Sequence, residues 1–212
     1  MEFVLKRADP VGKPSRHGLT AMEVLSPMDP PEAYAAPSVV PVANQDMHPF
    51  LRHFVAEHQP FLGEVTAFEG AILSIQQSGY TKAADEKLRR FLNFLDEEFI
   101  AHSRREEAAL FPLLRRRLLA EGEHGSGEDP QTPVDLLRDE HIKAVQLAAV
   151  ILNFLGLAFR LRDEQSRLMV LDAALEQGKF LVELLRLHVY REDNVIFPLA
   201  HQLINSEELA RM

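Results

Sequence analysis

The chain has 212 residues, a formal net charge of −9 and no cysteine. This length is enough for one domain with a sizeable core, and the negative charge argues against nucleic acid or an anionic membrane as the main partner. The lack of cysteine excludes disulfides, thiolate metal ligands and cysteine nucleophiles.

Residues 1–45 form a proline-rich segment, which we expect to be an extended arm outside the main domain. Eight of the thirteen prolines lie within residues 1–49. Because proline fits poorly inside a helix, this stretch cannot hold a long one. Its apolar residues, at 3–5 and 39–42, are suited to packing on the main domain or on a second copy of the chain. A homodimer formed through the arm is therefore one prediction.

The sequence shows no secretory or membrane segment. Lys6 and Asp9 interrupt the apolar run that a signal peptide would need near the N-terminus. The longest apolar stretch, residues 144–161, contains Gln146, Asn153 and Arg160. We therefore expect it to be a buried helix, and the protein to be cytoplasmic without binding membranes.

Residues 46–212 are expected to form one helical domain, because Leu, Ala, Glu and Arg are abundant there and glycine is sparse. The first predicted helix spans about residues 46–77. Asp46 is expected to be its N-cap. Pro60 is expected to kink this helix or divide it in two, because proline removes a backbone hydrogen bond.

Three further helices are predicted after the first. The second spans about residues 81–111, with a bend at Pro112 and a short continuation to about residue 120. A polar loop over 121–133 leads to a third helix over about 134–161 and a fourth over about 163–197. Four long helices with short connections indicate an all-α fold, an up-down antiparallel four-helix bundle.

One pattern occurs twice in this predicted bundle. The first copy is His102-Ser-Arg-Arg-Glu106, followed by Phe111-Pro112, and the second is His188-Val-Tyr-Arg-Glu192, followed by Phe197-Pro198. An isolated Glu-His pair precedes each copy, Glu57-His58 in the first half and Glu140-His141 in the second. The two halves therefore look like repeats, each with a lone His on its first helix and a His-x3-Glu on its second.

Helical phase places these side chains in the core. Residues four apart lie on one face of a helix, so each His and its Glu point the same way. Leu95, Phe99 and Leu110 lie on the same face as His102, and Leu181, Leu185 and Ile196 match them around His188. Unpaired ionised carboxylates in such a core cost several kcal/mol.

The ligand types therefore predict a pair of metal ions. The proposed ligands are His58, His102, Glu106, His141, His188 and Glu192. Helical bundles build two-metal sites from inward-facing His and carboxylate side chains in this way. Oxygen and imidazole nitrogen without sulfur favour iron, with manganese or zinc as substitutes.

These motifs resemble those of the hemerythrin-like HHE cation-binding domains, and the resemblance covers about residues 46–204. It implies an up-down four-helix bundle with a non-haem di-iron centre, in which the two glutamates bridge the irons together with an oxo or hydroxo group. Oxygen-carrying hemerythrins have a further His four residues after the one on the third helix, where this chain has Val145. They also use an Asp five residues after the last His, so the resemblance leaves Asp193 as an alternative bridge to Glu192 and Glu107 as the matching alternative to Glu106. The resemblance therefore points to the symmetric members of the family.

The expected function is that of a di-iron protein that binds or senses a small ligand, such as O2, NO or peroxide, or that handles iron. The alternative is a di-iron redox enzyme that reduces peroxide or oxidises a small substrate. His53 is expected on the surface and His124 in the polar loop. Five histidines in all lie outside the repeated pattern: His17, His48, His53, His124 and His201. We assign no catalytic residue and no organic cofactor from the sequence.

Overall fold

A computed structural model describes residues 39–125 and 128–212, and this part of the chain is all-helical, without strands. The prediction of an all-α protein is confirmed for these residues. Most of the predicted N-terminal arm lies outside them. Val39 and Val42 pack on the buried apolar residues of the main domain, and the Val40 carbonyl accepts a hydrogen bond from the Gln202 side chain at 2.7 Å.

Helix α1 (Pro49–Ser78) follows a short 3-10 turn at Asn44–Asp46. The prediction of Asp46 as N-cap is wrong: Asp46 ends the 3-10 turn, and His48 caps α1 by accepting the Phe50 N–H at its Nδ1. The helix continues through Pro60, so it is not divided there. Proline has a helical φ and costs one backbone hydrogen bond, which a helix of this length tolerates.

The second long helical segment contains two π-helical turns. It consists of α2 (Lys82–Phe94), π1 (Leu95–Phe99), α3 (Ile100–Arg105), π2 (Glu106–Leu110) and α4 (Phe111–Glu121). It begins with Thr81, whose side chain accepts the Ala84 N–H. It ends at Gly122, whose φ of 72° lies in the left-handed region that glycine favours.

The third and fourth long segments complete the described chain. Helix α5 (Pro133–Ala158) starts with a capping box between Thr132 and Asp135. Asp163 caps the next segment, which consists of α6 (Glu164–Arg191), π3 (Glu192–Ile196) and α7 (Phe197–Leu203), followed by the short α8 (Ser206–Leu209). Helix α5 packs along α6, while α1 packs on both α2 and α6. We call residues 49–121 the first half and residues 133–203 the second half.

The core consists of two clusters of buried apolar residues with a polar layer between them. Along α1, Leu51 and Phe54 belong to one cluster and Phe61 and Val65 to the other. The polar layer lies between these pairs, at His58. Burial of each large apolar side chain contributes roughly 1.5–3 kcal/mol, and this packing on both sides fixes the positions of the polar groups.

The outer face of α5 is apolar and exposed. Among the described helices, α5 alone is long and apolar enough to cross a membrane, and 39% of that window is buried in the structure. Core helices of soluble proteins pass the same test, so this is weak evidence for a membrane span. The prediction of a buried helix over residues 144–161 holds for one stripe only, because α5 ends at Ala158 and leaves Val145, Leu152 and Leu157 exposed. Val145 therefore lies on the surface.

Candidate metal centre

The structure brings all six predicted ligands together in the layer between the two apolar clusters. Glu106 and Glu192 are 0% exposed, and the four histidines are between 2% and 8% exposed. Each half contributes one lone His from its first helix, and one His and one Glu from its second segment. Their side-chain atoms form two groups that could each hold a metal ion, with Glu192 belonging to both.

The four imidazoles form two pairs, each within one half of the chain. Nε2 of His58 lies 3.4 Å from Nε2 of His102. Nε2 of His141 lies 3.1 Å from Nε2 of His188. All four Nε2 atoms therefore point into the centre.

Each buried carboxylate reaches both imidazole pairs. One oxygen of Glu192 lies 3.1 Å from Nε2 of His58, and the other lies 2.9 Å from Nε2 of His188. The two oxygens of Glu106 each lie 3.5 Å from an Nε2 atom, one from His102 and the other from His141. Each carboxylate thus spans the distance between the pairs with one oxygen on each side.

A ring of four outer carboxylates holds the histidines by their other nitrogen. Each Nδ1 atom lies 2.7–3.0 Å from a carboxylate oxygen, in the pairs His58–Asp193, His102–Glu57, His141–Glu107 and His188–Glu140. Because an ionised carboxylate accepts but does not donate, each Nδ1 carries a proton and donates it. In the neutral ring, Nε2 is then left with a free lone pair. Histidines that bind metals are commonly oriented by such hydrogen bonds.

The outer carboxylates explain the repeated acidic residues in the sequence. Glu57 and Glu140 precede the lone histidines, yet each accepts from the other histidine of its own half. Glu107 and Asp193 follow the buried glutamates, and each accepts from the lone histidine of the opposite half. In the structure, Asp193 and Glu107 thus lie on the Nδ1 side of the histidines, while Glu192 and Glu106 lie on the Nε2 side. This role was not predicted from the sequence, although the repeated acidic pairs Glu106-Glu107 and Glu192-Asp193 are a signal for it.

The repeated Phe-Pro also acts across the two halves. The ring of Phe111 stacks on His141, with centroids 5.8 Å apart. The ring of Phe197 stacks on His58 at 5.7 Å. A π-helical turn, π2 or π3, separates each buried glutamate from its phenylalanine. Single π turns inside α-helices occur frequently at functional sites, and here they precede the phenylalanine that packs on the opposite lone His.

The pKa values of the four histidines in this layer are shifted from the ordinary value. Burial opposes protonation of His58 and His188, but the nearby carboxylates outweigh it and raise the pKa to about 9 for His58 and about 10 for His188. Burial lowers the pKa of His102, and burial with the charge of His188 lowers that of His141 to about 4. Each imidazole pair thus contains one ring that favours a proton and one that does not.

The buried oxygen and nitrogen atoms of this layer are better satisfied by bound cations than by one another. None of the four oxygens of Glu106 and Glu192 receives a hydrogen bond of normal geometry. Two unprotonated Nε2 lone pairs that face each other repel unless a cation or a proton lies between them. Buried polar atoms without partners cost free energy, and this cost falls on the atoms that metal ions would contact.

The other histidines lie outside this layer. His53 has a side chain that is 67% exposed and contacts Glu57, which agrees with its predicted surface position. His201 accepts the backbone N–H of His48 at Nδ1, and the ring of His124 contacts the carbonyl of Gly125. His17 lies outside the described residues.

Comparison with known proteins gives no relative. No protein-family model matches the chain, and no curated protein and no solved structure matches it.

Proposed function

We propose that this chain is a hemerythrin-like protein whose four long helical segments form an up-down bundle around two metal ions. The observation that carries this proposal is the position of Glu106 and Glu192. Each spans the two imidazole pairs with one oxygen on each side, which is how a carboxylate that bridges two cations is arranged. His58 and His102 would hold one ion, and His141 and His188 the other.

Iron is the metal that this donor set favours, with manganese or zinc as substitutes. When bound, an iron pair supplies reversible binding of a small ligand and one-electron chemistry. The residues of the chain orient the four imidazoles through Nδ1, cover the centre on two sides with the apolar clusters, and provide negative charge that balances the cations. Arg105 and Arg191 form ion pairs with Glu57 and Glu140, and this limits the excess negative charge outside the centre.

The biochemical role that we propose is binding or sensing of a small ligand such as O2, NO or peroxide in the cytoplasm. Peroxide turnover separates the alternative, a redox enzyme, from a binding protein: decay of peroxide no faster than with free iron would exclude the enzyme.

The test is the metal content of the purified protein, together with its visible spectrum before and after reduction. We expect two iron ions per chain and near-ultraviolet bands of a bridged iron pair that disappear on reduction. A colourless protein without metal that keeps its melting temperature after chelation would contradict the proposal.

A further inference from the structure

A cavity of about 360 Å³ leads from the surface to one side of the candidate metal centre. It lies between α1 and the segment formed by π1 and α3. His58 and His102 line its inner end, while Phe61, Phe94 and Phe99 form apolar walls. His141 and Glu106 are not among its lining residues. The cavity therefore reaches the centre at the first imidazole pair, and His188 and Glu192 of the second half also line it.

Three differences between the repeated halves account for this one-sided opening. Ala101 precedes His102 and lines the cavity, whereas the larger Leu187 precedes His188. Arg105 lies three residues after His102 and has a side chain that is 49% exposed, whereas Arg191, three residues after His188, is 8% exposed.

The third difference is in the helix itself. The π1 turn lies just before His102 and its Glu98 and Phe99 line the cavity. Helix α6 is regular through the corresponding stretch before His188. A π turn adds a residue to the helical turn and widens it, so π1 displaces the wall on this side only.

On the other side of the molecule, a groove lies at the corresponding place but ends short of the centre. Its lining residues are Lys143, Leu147, Gln177, Phe180 and Leu184. Phe180 is the repeat counterpart of Phe94, and Leu184 is the counterpart of Glu98. None of the six candidate ligands lines this groove. Two similar surface positions thus differ in whether they reach the buried histidines.

We propose that the cavity of the first half is a binding site for a neutral, largely apolar organic molecule of about one or two rings, beside His58 and His102. Its size carries this inference, because an apolar cavity of about 150 Å³ already binds benzene, and a diatomic molecule needs far less. The proposal rests on the proposed function in one respect: the ligand would lie against the residues proposed to hold the metals.

The charges at the opening favour a neutral ligand. Glu57 and Glu98 both line the cavity, and the guanidinium of Arg105 is already paired with Glu57. The opening therefore has two carboxylates and one guanidinium, an excess of negative charge that disfavours entry of an anion. Glu192 and three of the imidazoles line only the inner end. The aromatic walls supply the contact area that an apolar ring requires.

The test is calorimetric titration of the full-length protein with two probes, neutral 2-naphthol and its anionic analogue 2-naphthoate. We expect one 2-naphthol per chain with a dissociation constant on the order of 100 µM. We expect 2-naphthoate to bind about tenfold more weakly or less. Equal or tighter binding of the anion would overturn the assignment to neutral ligands.

A pair of matched variants locates the binding site. Ala101→Leu introduces the residue that the second half has at this position, and should weaken 2-naphthol binding by about tenfold or more. Ala108→Leu is the same change at another exposed position, outside the cavity lining, and should leave binding unchanged. Equal affinities of the two variants, both with wild-type circular dichroism, would refute this site.

Metal content measured on the same samples separates this proposal from the proposed function. Protein without metal that still binds 2-naphthol and loses it in Ala101→Leu would support the cavity and contradict the metal centre. Two metals per chain with no binding of 2-naphthol would support the metal centre and contradict the cavity as a binding site.

Discussion

Glu57 and Glu140 make the same contact in the two halves of the molecule, but their surroundings differ. Each accepts the Nδ1–H of a histidine of its own half and forms an ion pair with an arginine. The Glu57 side chain is 30% exposed, whereas that of Glu140 is 7% exposed. The six candidate ligands thus follow the twofold repeat closely, whereas the outer carboxylates differ between the halves in their exposure. A repeated structure can keep one centre symmetric and still differ in access to it.

Removal of the metals should produce the largest effect, because both halves contribute equally to the centre. Extended chelation should lower the melting temperature by at least about 10 °C, since binding that occurs only in the folded state contributes to stability. Differential scanning calorimetry before and after chelation measures this. An unchanged melting temperature would mean that the polar layer is stable without metal ions.

Loss of one imidazole from each half tests whether the two metal positions are equivalent. His102→Ala and His188→Ala should each lower the metal content and reduce stability by roughly 3–5 kcal/mol, because buried charged partners lose a contact. His53→Ala is the control, since that side chain is 67% exposed. Quantification of metal per chain and thermal denaturation give both readouts, and a variant of either centre residue that retains two metals would argue against the ligand set.

Substitution of an outer carboxylate should reduce metal affinity by different amounts in the two halves. Glu57→Gln and Glu140→Gln each remove a charged partner from an Nδ1–H, which typically costs 10–100-fold in metal affinity. We expect the larger loss for Glu140→Gln, because this group is the more buried and leaves Arg191 in a buried position beside a neutral amide. Competition with a calibrated chelator measures both affinities. A larger effect of Glu57→Gln would contradict burial as the reason for the difference.

Metal uptake should also depend on pH. His58 and His188, one in each half, have pKa values raised to about 9 and about 10 by carboxylates that outweigh burial. Both rings therefore hold a proton at neutral pH in the metal-free protein, and metal ions must displace it. Affinity should rise as the pH increases from 6 to about 9, with proton release detectable by a pH indicator in weak buffer. Affinity that falls over this range would exclude the mechanism.

The smallest expected effect concerns the helix caps, which also differ between the halves. Asp135 belongs to the capping box of α5 and contacts Arg115, whereas α1 is capped by the His48 ring. Burial opposes the ionisation of Asp135, but the Thr132 N–H and Arg115 outweigh it and lower its pKa. The stabilisation is therefore present above the ordinary pKa of 3.8 and is lost as the pH falls below it.

Asp135→Asn should accordingly reduce stability by about 0.5–2 kcal/mol at pH 7. Urea denaturation at pH 7 and at pH 3 measures this. A difference between variant and wild type that grows on acidification would contradict the assignment.

Much of the centre follows from spacing alone. A lone His and a His-x3-Glu at matching helical phase bring six side chains to one layer without knowledge of the loops, because helix periodicity fixes which residues share a face. The ends of the first two helical segments were also predictable to within a few residues, because Gly79 ends the first and Gly122 the second.

Other features depended on tertiary packing. Each π turn adds one residue to a helical turn, and no residue type signals where it occurs. The partners of Asp193 and Glu107 could not be predicted from the sequence. Each contacts a histidine of the opposite half, and helix periodicity does not show how the two halves pack together. Val145 is exposed because no helix in the described part of the chain covers it on α5, and a pattern of apolar residues does not distinguish a covered face from an open one.

The crossed contacts of the lone histidines have a consequence for how the protein is made. The His58 ring is positioned by Phe197 and by Asp193, which lies 135 residues later in the sequence. Until that segment leaves the ribosome, the first half has its imidazoles but neither the partner nor the stacked ring that orients one of them. If the proposed metal centre forms, its first ion should therefore bind only after the second half has been synthesised.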